Sequence, residues 1–149
     1  MSDEPEKSKI ETIDDYINEM GRALNVRPVP QGFYAWLDEL HRNMPMYFGR
    51  TNLNDIEAWM TGFWCGREGA GLGASDEEVE FGGFHDFVGK KYRLSSNRGW
   101  QSNIRYMNPA DDKQAVDEFF LLLDEFRESK RKAREREAKR AAKLERRED

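Results

Sequence analysis

A single, mainly α domain with a long charged helical extension at its C-terminal end is the fold class this sequence predicts. Three observations predict it. Nearly every apolar periodicity has the three-to-four-residue repeat of a helix face. No segment alternates apolar and polar residues convincingly, as a half-buried strand would. After Phe126 the apolar stripe stops, while helix-forming composition continues. The expected organisation is a disordered tail over residues 1–8, a helical domain over 9–126 and a charged helical extension over 127–149.

The elements follow in order. Ser8 with Glu11 makes a capping box, and Ile10, Ile13, Ile17, Met20 and Leu24 then fall on one helical face. Pro28-Val29-Pro30 ends that element, because proline biases its predecessor to extended geometry. Phe33, Trp36, Leu37 and Leu40 form a second stripe, expected to close near Met44-Pro45. Asn54 is placed to cap a third helix, with Ile56, Trp59, Met60, Phe63 and Trp64 inward. Gly66 to Ser75 reads as a flexible loop.

Asp76, Glu77 and Glu78 suit the first turn of a fourth helix, since carboxylates favour the positive end of the helix dipole. Its apolar face is Phe81, Phe84, Val88 and Tyr92, weakened by Gly82-Gly83. Ser95 or Ser96 can cap a short fifth helix through Trp100, Ile104 and Met107. Pro109 opens a sixth, where its missing N–H costs little, and Val116, Phe119, Phe120, Leu123 and Phe126 make that helix's buried stripe. Beyond it, Glu128–Lys132, Glu135–Lys139 and Glu137–Arg140 have the spacing of helix-supporting ion pairs, each worth only ~0.2–0.5 kcal/mol.

Composition sets the function classes. The chain has 149 residues, 38% hydrophobic and 36% charged, so part of it is expected to lie outside the core. Four Trp, nine Phe and five Tyr compensate, because each aromatic buries a large area. Cys65 is the single cysteine, which excludes an intrachain disulfide and a Cys-pair zinc site. It is expected to sit at the core or its boundary. No stretch approaches the ~20 apolar residues of a membrane span, and Met1-Ser2-Asp3-Glu4-Pro5 is unlike a signal peptide. The expected location is the cytoplasm, and no membrane partner is expected.

The net charge of −5 conceals an asymmetry. Residues 128–149 carry ten cations against six anions, a net of +4. Residues 1–127 carry 14 against 23, a net of −9. Within the acidic body lies a window from Phe87 to Ala110 with no acid, holding Lys90, Lys91, Arg93, Arg98 and Arg105 among Tyr92, Trp100 and Tyr106. Cations interleaved with aromatic faces make it the candidate contact surface. Its site residues are Lys90, Lys91, Arg93, Arg98, Trp100 and Arg105. Helix-end electrostatics account for Lys90, Lys91 and Arg93. Arg98, behind the Ser95-Ser96 cap, and Arg105 lack that account.

Catalytic chemistry has no positive support. Gly69-Ala70-Gly71-Leu72-Gly73 follows a helix rather than a strand, and the acids Asp76 to Glu78 stand where a phosphate wants positive potential. His41 and His85 have no companion at metal-ligand spacing. No catalytic residue, metal or cofactor is expected.

The runs Phe84-His85-Asp86-Phe87-Val88-Gly89-Lys90-Lys91-Tyr92 and Ser95-Ser96-Asn97-Arg98-Gly99-Trp100, followed by Asn103-Ile104, resemble a pattern in small bacterial proteins of the immunity or defence-accessory type. The acidic, aromatic helix Asp117 to Phe126 belongs to the same resemblance. Where those proteins carry Arg-Pro-Gly-Met-Tyr-x-Gly, this chain has Arg42-Asn43-Met44-Pro45-Met46-Tyr47-Phe48-Gly49, a departure in the Pro-Gly pair. The resemblance covers residues 40–126 and carries no catalytic residues. It implies a protein that acts by binding another: a toxin, a nuclease or a subunit of a bacterial or phage defence complex. The alternative is a nucleic-acid-binding module that uses the Lys90–Arg105 window and the tail, although six acids among the tail's ten bases favour a solvated, self-paired helix.

Overall fold

The computed structural model describes Ile13, Asp15, Tyr16, Glu19, Met20, residues 28–95 and residues 97–148, with side chains through residue 146. From Phe33 onward it is a mainly helical domain of six helices: α1 (Phe33–Phe48), α2 (Leu53–Gly69), α3 (Asp76–Phe81), α4 (Phe84–Tyr92), α5 (Trp100–Met107) and α6 (Asp112–Glu148). There is no strand among the described residues. None of these helices is long and apolar enough to cross a membrane.

The spine is α6. Ala115, Val116, Phe119, Phe120, Leu122, Leu123 and Phe126 recur at helical spacing and are all buried. Against this stripe pack α2, α4 and α5. Leu37, Leu40, Ile56, Met60, Phe84, Val88 and Ile104 complete the core, each fully buried or nearly so. Aromatic edges knit it: Phe84 meets Phe119 at 5.7 Å and Phe126 at 5.5 Å, both edge to face.

The helix starts follow from local chemistry. Asn52, not Asn54, caps α2: its side chain accepts the Asn54 N–H at 2.8 Å. Ser75 and Glu78 form a reciprocal capping box on α3, so the Ser hydroxyl and the Glu carboxylate each satisfy an orphan N–H. Gly82-Gly83 divides the expected fourth helix into α3 and α4. Asp111 accepts the Gln114 N–H at 3.0 Å at the start of α6, which therefore begins after Pro109 rather than at it.

Several expectations are corrected. The second helix does not close at Met44-Pro45; it kinks at Asn43 (φ −134°, ψ 28°) and runs to Phe48. Pro45 cannot donate to the preceding turn and disfavours helical geometry just before it, which places the bend there. Gly49 (φ 69°) then ends α1, its N–H donating to the Pro45 carbonyl at 2.9 Å. The expected loop at Gly66 begins only after Gly69. Trp64, Cys65 and Met107 are exposed rather than inward. Ile13 and Met20 are helical but 76% and 46% exposed, so the expected N-terminal stripe is not buried there. Ile10, Ile17, Leu24, the Ser8–Glu11 box and the 1–8 tail lie outside the described residues.

Candidate partner-binding surfaces

The structure separates the six residues of the basic window. Trp100 is corrected outright: it opens α5, is 7% exposed, and stacks on Phe119 at 4.8 Å. Its edge contact with Phe84 at 5.6 Å completes a core position, so it is not a surface anchor. Lys91 is engaged by Glu125 at 2.6 Å, a tie between α4 and α6. Arg105 donates to the Asn54 side chain and so ties α5 to α2.

Lys90, Arg93 and Arg98 are exposed and make no ion pair among the described residues. Lys90 and Arg93 flank a shallow groove of about 540 Å³ with Asp86, Gly89 and Leu94. Arg93 takes the left-handed conformation (φ 54°) at the end of α4, a position glycine ordinarily fills. Arg98 lies apart from them, its guanidinium 6.0 Å from the Tyr106 ring. The serine cap expected before α5 does not form: Gly99 precedes the helix without a side-chain cap, and the Ser95 hydroxyl instead accepts the Asn97 N–H at 3.3 Å. Ser96 lies outside the described residues. The window thus leaves two small basic spots.

A different surface is more extensive. On α1 and α2, Trp36 lies 6.5 Å from Tyr47 and 6.1 Å from Trp59, and Trp59 lies 5.1 Å from Phe63. Phe33, buried beneath, joins this row to Trp64 at 6.0 Å. Trp36, Trp59 and Phe63 are half-buried, whereas Met46, Tyr47 and Trp64 are exposed. The kink at Asn43 positions Tyr47, whose hydroxyl donates to the Glu39 carboxylate at 3.3 Å. Asn43 Nδ2 at 2.9 Å and an Arg42 guanidinium nitrogen at 3.1 Å donate to the same carboxylate. Sequence reasoning missed this row because it assigned every aromatic at helical spacing to the core. The signal was present in the density of Trp and Tyr on two neighbouring short helices.

The titratable groups with displaced pKa values serve structural pairs. Burial, reinforced by Glu80, pushes the Tyr34 hydroxyl well above its ordinary range. Burial and the 2.5 Å hydrogen bond to Glu118 do the same for Tyr92. Burial would raise Glu78, but the Ser75 cap and Arg67, 3.0 Å away, together lower it. His41 stacks flat on Phe120 at 3.8 Å. No group of three metal-ligating side chains forms among the described residues. No protein-family model, curated protein or solved structure matches this chain.

Proposed function

We propose that this chain is a non-catalytic, cytoplasmic protein-binding module, an immunity-type inhibitor or accessory subunit of a bacterial or phage defence or toxin system. The half-exposed aromatic row of α1 and α2 carries the reading. Trp, Tyr and Met are among the side chains enriched at protein interfaces: the two aromatics bury large area with few rotatable bonds, and Met adapts its shape to the partner. Here Trp36, Tyr47, Trp59 and Phe63 form a contiguous strip on α1 and α2, Trp64 joins it through buried Phe33, and Met46 of α1 stands out to solvent. The acidic body around it (net −9 over residues 1–127) suits a basic partner surface, such as the nucleic-acid-binding face of a toxin or nuclease. Arg98 supplies an outlying charged contact.

The test is co-purification of the native chain with the products of neighbouring genes, identification by mass spectrometry, and calorimetry on the partner found. Met46→Glu and Trp64→Glu, both at exposed positions, are expected to weaken binding at least about tenfold, the loss of one interface anchor. Arg98→Glu reads out the basic contribution. Undiminished affinity in both the Met46 and the Trp64 variant would remove the row from the interface.

A further inference from the structure

The acids that dilute the tail's net charge of +4 are not spread evenly around its helix. From Lys132 onward the helix carries Lys132, Arg136, Lys139, Arg140, Lys143 and Arg146 on one face, at steps of three or four residues except for the adjacent Lys139 and Arg140. At 3.6 residues per turn they occupy roughly one third of the circumference. All six are exposed. Glu137 and Glu145 fall on other faces. Glu128 and Glu135, which border the stripe, are both taken by Arg131, at 2.6 Å for Glu128 and in closer contact for Glu135. Of the pairs whose spacing suits a helix, Glu128–Lys132 forms among the described residues, whereas Glu135–Lys139 and Glu137–Arg140 do not. Only Lys132 has an acid within reach, Glu128 at 3.5 Å. The other five make no ion pair among the described residues.

Among the described residues, the pair of Arg134 with Glu80 is the last ion pair between this helix and the body. Beyond it every described side chain is exposed. The stripe therefore extends away from the acidic body, whose field is screened over roughly 10 Å at 0.1 M salt.

We infer that the α6 extension is a DNA-binding arm, whose one-sided row of unpaired cations lies along the phosphates of a B-form duplex. The five unpaired cations, Arg136 to Arg146, span roughly 15 Å at 1.5 Å per residue. A helix of ~10–12 Å diameter fits the ~12 Å major groove of B-DNA, whereas the major groove of A-form RNA is too narrow for it. The contact is to backbone charge and carries no base preference, because every reaching side chain in the row is a Lys or Arg with no aromatic or amide neighbour. It stands on a different surface from the aromatic row and holds or fails independently of it.

The experiment is fluorescence anisotropy of a labelled 20-base-pair DNA duplex with the full chain at 50 and 200 mM NaCl. Five neutralised phosphates predict an affinity loss of roughly 500-fold across that interval. Replacing Arg136, Lys139, Arg140, Lys143 and Arg146 together by Gln, which keeps helix propensity, is expected to lower affinity at 50 mM salt more than 100-fold. Circular dichroism of that variant checks the helix. Lys90→Gln with Arg93→Gln is expected to leave binding unchanged. No anisotropy change at 50 μM protein in 50 mM salt overturns the inference, as does equal affinity of the five-fold variant. Equal or tighter binding of duplex RNA overturns the groove assignment. A salt-sensitive dimer in sedimentation, lost in the variant and unaccompanied by DNA binding, would instead give the stripe to the acidic body of a second copy.

Discussion

Asn103 shows what a single residue can cost this fold. It lies in α5, fully buried, and neither its Oδ1 nor its Nδ2 has a hydrogen-bond partner among the described residues. A buried amide without partners carries an uncompensated desolvation cost of about 1–3 kcal/mol. Asn103→Leu removes that cost while keeping side-chain volume close, and is expected to raise the urea midpoint by a corresponding amount. A lowered midpoint would mean that the amide is satisfied in solution by a buried water. The same scale explains why Arg98 stays legible as a surface residue and Trp100 does not. A charged side chain on a short turn has no core to enter, whereas Trp100 begins a helix laid directly on Phe119.

Among the elements, α3 depends most on its ends. It has six residues, far below the length at which a helix is stable alone, so its start is held by the Ser75–Glu78 box. Arg67 of α2 reinforces Glu78 and also donates to the Gly73 carbonyl at 2.9 Å. Ser75→Ala is expected to destabilise the fold by about 1 kcal/mol, within the usual range for a lost N-cap. Chemical denaturation checks it, and an unchanged midpoint would show that Arg67 alone fixes the turn. The α1 kink was partly legible: Pro45 announced a break, but not that the chain would resume helical geometry. Three donors gather on Glu39 across the kink: Arg42 before the bend, Asn43 at it and Tyr47 beyond it.

For the molecule as a whole, inter-helix pairs to tyrosine fix how the layers meet. Tyr34 of α1 donates to Glu80 of α3 at 3.2 Å, and Tyr92 of α4 donates to Glu118 of α6. Both hydroxyls are pushed above their ordinary value of 10.0 in the folded state, first by burial. A raised folded pKa favours the protonated form, so its contribution is complete below pH 10 and is lost as pH climbs above it. Stability is therefore expected to fall above about pH 10, and Tyr92→Phe to flatten part of that fall. Urea midpoints between pH 9 and 11 measure it. Parallel profiles for the two proteins would place the alkaline sensitivity elsewhere.

What the sequence alone determined is local. Helical periodicity, caps and the end of the apolar stripe at Phe126 depend on residues within one or two turns of each other, and they predicted the class, the spine of α6 and its charged continuation. Which cations remain free depends on acids far along the chain: Lys91 meets Glu125, while its neighbour Lys90 points to an open groove. Which aromatics stay half-exposed depends on whether another helix covers them, and over Trp36, Trp59 and Trp64 the described helices leave the face partly open. The acid-free window looked like one surface because charge was counted along the chain. Tertiary packing divided it, since a side chain's availability is set by its neighbours in space.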